Sequence, residues 1–468
     1  MEFAEACSEV DFILENLQPS DKEKIPQSVF EFFKNNKSLF YKVNLTTDKS
    51  LAEQDLKNET KAFLQIINYK YFSNKEQQEK FRDMLENENN IKEDYVIVKG
   101  ASIKEDNVEL IKARELGLKI YEYNELVGEI SKKFKTICIA GCHGKTTTTS
   151  MMSLVLGKLC GANYLIGDGR GYANPNNEFF LLESCEYQRH FLAYHPYYTV
   201  ITNIDLDHVD YFKDISDVIS AYQELADKTK DYVICYGDDN NVRKLSLQKS
   251  FYFGLNDNNN LKATNIEYKE DGISFDVLVE NKQYGHYVLP IFGTHQLIDA
   301  LAVISVCYLE KQNPKEVNEI LSTFSGAKRR FTETKIDDNV VIDDYAHHPT
   351  EIKATLSAIK QKYPKKKIIA IFQPHTYSRT QKFYKEYINI FKKLDAVYIL
   401  DIHPSREKQE DYNNITSDII INELPNGFHI NINEAHILSK YDNAVFVFLS
   451  PNDLSELESE LINLKRGL

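Results

Sequence analysis

Residues 136–159 constrain this chain more than any other stretch. Thr136 to Ala140 (TICIA) is an apolar run of strand length, and Gly141-Cys142-His143-Gly144 is a turn bounded by glycines. Lys145-Thr146-Thr147 then opens a helical stretch that continues to Leu159. A strand that ends in such a turn and restarts as a helix gathers backbone N–H groups around an anion, and the helix N-terminus adds positive potential. In that arrangement Lys145 reaches β- and γ-phosphates, and Thr146 offers its hydroxyl to Mg²⁺. The strict eight-residue phosphate pattern is not met, because Ile139 holds the place of its first glycine. The loop is the shorter G-x-x-G-K-T-T. The competing reading is a helix-capping turn with a solvated lysine.

The surroundings favour a phosphate site. DYVIVKG, TICIA, FFLLES, YTVITNI and DYVICYG read as buried strands separated by helical segments, the texture of an α/β fold. Glu183 ends FFLLES, and Asn203, Asp205, Asp207 and His208 follow the strand YTVIT. Polar residues beyond the carboxyl ends of parallel strands sit where doubly wound sheets bind ligands, and a carboxylate there suits Mg²⁺. Residues 265–290 alternate as antiparallel β. A last α/β block carries two more clusters after strands: Asp343-Asp344-Tyr345-Ala346-His347-His348 and Gln373-Pro374-His375-Thr376-Tyr377-Ser378-Arg379. The paired histidines have no third ligand at zinc-like spacing. Lys328-Arg329-Arg330, just before this block, are placed to clamp phosphates across a domain boundary.

Composition narrows the function. At 468 residues the chain is long enough for about three domains. A formal charge of −14 argues against nucleic acid and anionic membranes as general partners. No apolar run is long enough to span a bilayer, and the acidic start lacks the order of a signal peptide. The seven cysteines contain no CxxC pair and read as reduced thiols of a cytoplasmic protein. The region before residue 91 stands apart. Its apolar residues recur at helical spacing, and the first glycine of the chain is Gly100, so it holds no Gly-rich nucleotide loop. It reads as a small helical packing or protein-partner module.

Taken in order, GCHGKTTTT, ESCEYQRHFL, TNIDLDHVDYF, KRRF, DDYAHHPTEI and FQPHTYSRT resemble the motif series of the Mur ligases. The resemblance runs over residues 92–468 and points to the branch that joins L-alanine to UDP-N-acetylmuramate in peptidoglycan precursor synthesis. It implies an α/β architecture: a central P-loop-type ATPase domain (133–330) and a C-terminal Rossmann-like domain (331–468). A remnant of the α/β UDP-binding domain (92–132) would precede them, behind an atypical helical N-terminal module (1–91). The implied reaction is an ATP-dependent amide ligation through an acyl phosphate. By the motif match, Gly141 to Thr147 hold the triphosphate; Thr146, Glu183 and His208 contact Mg²⁺; and His295, Arg329 and Asp344 contact the nucleotide. Tyr345, His347 and Arg379 fall at the amino-acid end, and Lys145, Glu183, His208 and Arg379 are the implied catalytic set.

Three departures qualify this reading. The family's G-x-H-N-x-x-N-A segment is Gly293-Thr294-His295-Gln296-Leu297-Ile298-Asp299-Ala300, with Gln and Asp in place of two amides expected near adenine. The late G-x-G-D-like turn is Ser450-Pro451-Asn452-Asp453. Most seriously, the Gly-rich start that binds the UDP pyrophosphate has no counterpart in residues 1–90. A ligase for a different carboxylate, or a non-catalytic ATP-binding relative with a partner-binding helical module, therefore stays open.

Overall fold

The computed structural model describes residues 91–92, 95–100, 103–405 and 407–467. The helical module expected for residues 1–90 lies outside them. The chain divides into two compact units, one holding residues up to 130 with 171–176, the other 131–170 and 177 onward.

In the first unit β1 (Ile97–Lys99) and β2 (Ile120–Glu122) pair in parallel through a crossover helix, α1 (Val108–Glu115). Asn107 starts that helix by accepting the Glu109 N–H at 2.9 Å, the role a short polar side chain plays at a helix start. α2 (Tyr123–Ser131) leads on toward the second unit.

The second unit begins with β3 (Lys135–Ala140), the phosphate-type turn and α3 (Lys145–Leu159). Next come β4 (Ala162–Leu165), β5 (Phe179–Glu183), β6 (Tyr198–Ile201), α4 (Ile215–Asp227), β7 (Val233–Tyr236) and β8 (Ser250–Gly254). A meander of β9 (Leu261–Lys269), β10 (Gly272–Val279) and β11 (Lys282–Leu289) follows, then α5 (Gly293–Leu309) and α6 (Pro314–Leu321). Its strands run in the order β11-β10-β9-β8-β7-β6-β3-β5-β4, parallel from β4 to β9 and antiparallel through the meander. β3 lies inside the sheet with Ile137, Cys138, Ile139 and Ala140 wholly buried, as a strand covered on both faces must be.

A second sheet closes the chain, built from β12 (Thr332–Ile336), β13 (Asn339–Asp344), β14 (Lys367–Phe372), β15 (Ala396–Ile399), β16 (Gly427–His429) and β17 (Ala444–Leu449). Its order is β12-β13-β17-β14-β15-β16, parallel except for β12. α7 (Pro349–Lys362) and α8 (Tyr377–Phe391) contribute Ile352, Leu356 and Phe383 to one core, and α9 (Ser455–Lys465) contributes Leu457 and Leu461 to the other. The two sheets are tied together where α5 packs on α7. There the Gly293 N–H donates to Gln361 Oε1 at 2.7 Å, and Gln361 Nε2 donates to the carbonyl of Lys269 at 2.9 Å.

Candidate functional site

The turn after β3 depends on two glycines. Gly141 and Gly144 have φ of 141° and 83°, and a Cβ on either would collide with Thr202 or with the Asp299 carboxylate. A side chain at either place would force the loop open. Asn203 clamps the turn, accepting the His143 N–H at 2.9 Å and donating to the His143 carbonyl at 2.8 Å. Four consecutive threonines are a poor helix start on propensity alone. Here they are buried, and three of their hydroxyls have work: Thr146 donates to Glu183 (2.9 Å), Thr148 to Asp299 (3.0 Å) and Thr149 to the Lys145 carbonyl (2.8 Å).

Lys145 Nζ donates to the carbonyls of Gly141 (2.5 Å) and Cys142 (3.2 Å) and meets Glu186 Oε2 at 3.0 Å. Burial is the largest influence and disfavours its charge, but Glu186 and the other acidic groups around it together hold the pKa above the ordinary lysine value. Glu186 is only 1% exposed, its other oxygen has no hydrogen-bond partner, and that oxygen lies 3.7 Å from His208 Nε2. Glu186 thus stands between Lys145 and His208, while Glu183 accepts from Thr146 Oγ1 and, through its second oxygen, from the Gly167 N–H at 2.6 Å. The Thr146 hydroxyl and the Glu183 carboxylate are hard oxygen donors of the kind Mg²⁺ takes, whereas Glu186 and His208 do not join Glu183 in one compact ligand cluster. The Cys142 thiol is buried, and burial pushes its pKa well above the usual range.

Two cavities flank this cluster. One, about 490 Å³, is walled by the loop, Asn203, His295, Gln296, Asp299 and Asp344. The other, about 440 Å³, is walled by Lys145, Glu183, His208, Tyr345, His347 and Arg379. Thr146, Arg330 and Glu351 line both. A long ligand entering the first cavity would carry its far end past these three into the second. In the first cavity burial and Arg330 push His295 down to about 4, so it is a neutral imidazole. Burial raises Asp344 to about 6 and Asp299 to about 7, the latter against Thr148 and Arg330.

The neighbouring arginines 329 and 330 take up different positions. Arg329, expected at the nucleotide, lines the second cavity, and its donors are already engaged. Nε meets Asp343 at 2.9 Å, and the remaining nitrogens donate to the carbonyls of Ser450 (2.8 Å), Pro451 (3.1 Å) and Asn452 (2.8 Å). Its neighbour Arg330 stands at the junction instead, 3.4 Å from Glu351 Oε1 and with its guanidinium 4.8 Å from the Tyr345 ring centre. Left-handed backbone at Arg329 (φ 52°) and Phe331 (φ 57°) sends the two side chains in different directions.

Arg379, the expected partner of an amino-acid carboxylate, is 5% exposed. Nε and Nη2 converge on Asp207 Oδ1 at 3.1 and 2.7 Å, and Nη1 donates to His375 Nδ1 and carbonyl at 3.2 Å. Burial opposes the Asp207 charge, but Arg379 holds its pKa well below the carboxylate range. Thr376 before it is β-branched yet sits at φ 67°, a strained state held by its N–H to the His403 carbonyl at 2.8 Å. His347 is kept neutral by burial and by Arg379, its pKa pushed down to about 4. The sequence reading did not single out Glu186 or Glu351. Each lies within a motif already noted, three residues after Glu183 and three after His348.

The Mur ligase middle domain matches residues 139–307, and the Mur ligase glutamate ligase domain matches 329–452. The fold is similar to that of the UDP-N-acetylmuramate-alanine ligase MurC of Thermotoga maritima, at TM-score 0.68 and 22% identity over 84% of this chain and 91% of that one. It is also similar to the murein peptide ligase of Psychrobacter arcticus (TM-score 0.58, 20% identity, 80% and 86% covered). MurF ligase of Thermotoga maritima, solved in complex with ADP, matches at TM-score 0.61 and 15% identity, with 80% and 97% covered. Two domain matches around one cleft define an ATP-dependent, ADP-forming amide ligase of peptidoglycan precursor synthesis. The chain belongs to the Mur ligase family.

Proposed function

We propose that the chain joins L-alanine to UDP-N-acetylmuramate. The muramoyl carboxylate attacks the γ-phosphorus of ATP, ADP leaves, and an acyl phosphate remains. The amine of L-alanine then attacks the acyl carbon, inorganic phosphate departs and the amine loses a proton. The observation that carries this reading is the meeting of the two cavities at Thr146, Arg330 and Glu351. ATP in the first cavity, near His295 and Asp344, presents its γ-phosphate to the second, where the acyl carboxylate and the amine are received.

Little covalent work falls to the protein in such a reaction; positioning and charge neutralisation dominate. Lys145 and Arg330 neutralise the transferring phosphoryl group. Thr146, Glu183 and His208 would hold Mg²⁺, which would supply further neutralisation of phosphate charge. Tyr345, His347 and Arg379 receive the amino acid; a guanidinium fork matches its carboxylate, provided that Arg379 shares itself with Asp207.

A second reading is favoured by one observation: residues 1–90 contain no glycine and hence no pyrophosphate loop of the family's kind. The acyl substrate is then a carboxylate other than the UDP-linked muramate. Phosphate release with ATP and Mg²⁺, with and without L-alanine, decides between them. Release that needs both UDP-muramate and L-alanine supports the first reading. Release with a muramoyl carboxylate lacking UDP, and not with the nucleotide sugar, supports the second. Absence of release with either acyl donor leaves the non-catalytic relative.

A further inference from the structure

We propose that His143, Asp205 and His348 form a binding site for one borderline divalent transition ion of the Zn²⁺ class, separate from the Mg²⁺ donors at Thr146 and Glu183. The ligand atoms of these three residues all lie within 4.8 Å of one another. His143 Nε2 is 3.3 Å from Asp205 Oδ2, and His348 Nδ1 is 3.8 Å from the same oxygen. A tetrahedral ion with bonds of about 2.0–2.2 Å holds its ligands about 3.3–3.6 Å apart, so the cluster is within a few tenths of an ångström of that spacing along two edges. Two imidazoles and one carboxylate select zinc, cobalt or nickel over magnesium.

The surroundings resemble the outer shell of a metal centre. Glu351 Oε1 lies 3.5 Å from His143 Nδ1, a buried nitrogen with no hydrogen-bond partner. With an ion on Nε2 the ring proton moves to Nδ1 and faces that carboxylate, the usual carboxylate–histidine–metal relay. Thr350 Oγ1 donates to Asp205 Oδ2 at 2.8 Å and fixes the carboxylate. His348 Nε2 is likewise buried without a partner, and carrying the proton there leaves Nδ1 free as a ligand. Two interactions must yield: the Thr350 N–H on His348 Nδ1, which is long at 3.3 Å, and the His143 Nε2–Asp205 Oδ2 contact at 3.3 Å, which an ion between the two atoms replaces. His143 and Asp205 follow β3 and β6 of the larger sheet, whereas His348 caps α7 on the other, so the ion would fasten the two together beside the nucleotide cavity.

The test is Zn²⁺ uptake by the full chain under chelator-buffered conditions, without nucleotide, with Co²⁺ as a spectroscopic probe. One equivalent should bind, with an affinity at least about tenfold weaker in His348→Gln and in Asp205→Asn, and unchanged in Lys145→Ala. The Co²⁺ spectrum should lack thiolate charge-transfer bands. Thr350→Val removes only the hydroxyl that holds Asp205 and should give a smaller loss, which keeps the test open if a ligand variant does not fold. No stoichiometric uptake, uptake indifferent to all three substitutions, or a thiolate spectrum would each overturn the site.

Discussion

At the proposed phosphate end of the cleft, Lys145, Thr146 and the glycines that shape their loop lie within residues 141–146; at the proposed acceptor end, Arg379 meets Asp207 across 172 residues and two different sheets. The first end works by local geometry. A strand, a turn in left-handed backbone and a helix start suffice to aim donors at an anion, whatever surrounds them. The second end has no such local device. Its arginine is held by a buried ion pair, a strained Thr376 and a histidine from its own loop, and each needs the whole fold in place. An end made of contiguous residues should lose function without losing the fold when it is altered, and an end assembled from afar should lose both.

Lys145→Ala gives the largest functional effect. Neutralisation of phosphoryl charge contributes several kcal/mol, so phosphate release should fall by about a hundredfold or more. Because Lys145→Ala also leaves the buried Glu186 without its cation, stability is read in Lys145→Ala with Glu186→Gln, whose melting temperature should move little; retention of more than about a tenth of the activity in Lys145→Ala would show that the loop does not hold the phosphates. Arg379→Ala tests the other end. It leaves the buried Asp207 carboxylate without its guanidinium and with only the His208 N–H, at 2.7 Å, which costs about 3–5 kcal/mol of stability. The double change Arg379→Met with Asp207→Leu should regain most of it in denaturant titrations. If the single variant is as stable as the parent, the contrast between the two ends fails.

Glu183→Gln keeps the shape beside Thr146 but removes the charge. The Mg²⁺ concentration for half-maximal phosphate release should rise about tenfold, a change of about 1.4 kcal/mol. An unchanged Mg²⁺ titration would remove Glu183 from the ion's surroundings.

The smallest effect concerns the floor of the loop. Asp299 has a folded pKa of about 7 against an ordinary 3.8, so between about pH 4 and 7 the folded state keeps a proton that the unfolded chain has lost. Stability therefore falls as pH rises through that window. Asp299→Asn, which restores the amide of the family pattern, should raise the melting temperature by roughly a few degrees at pH 7.5. The gain should vanish near pH 4, and a pH-independent difference would show that Asp299 carries no such proton.

The α/β class, the strand–glycine turn–helix at 135–159 and the place of Glu183 at a strand end were legible because each is local: periodicity marks strands and helices, and a glycine turn between them needs no distant partner. Tyr345, His347 and Arg379 were singled out only through the order of the motifs. Nothing in DDYAHHPTEI reveals that Glu351, at the third position of α7, faces His143 and Arg330. Glu186 was hidden for the same reason, since its meaning comes from Lys145, 41 residues away.

Chain order alone thus settles which residues open the phosphate loop and why glycine stands at 141 and 144, because a turn's backbone angles are paid locally. Tertiary structure alone decides that Arg330 rather than Arg329 stands where the cavities meet, that Arg379 is held by Asp207, and that the His143 and His348 ring centres lie 4.8 Å apart. These outcomes depend on burial and on charges brought together from separate strands, and neither has a signature in sequence spacing.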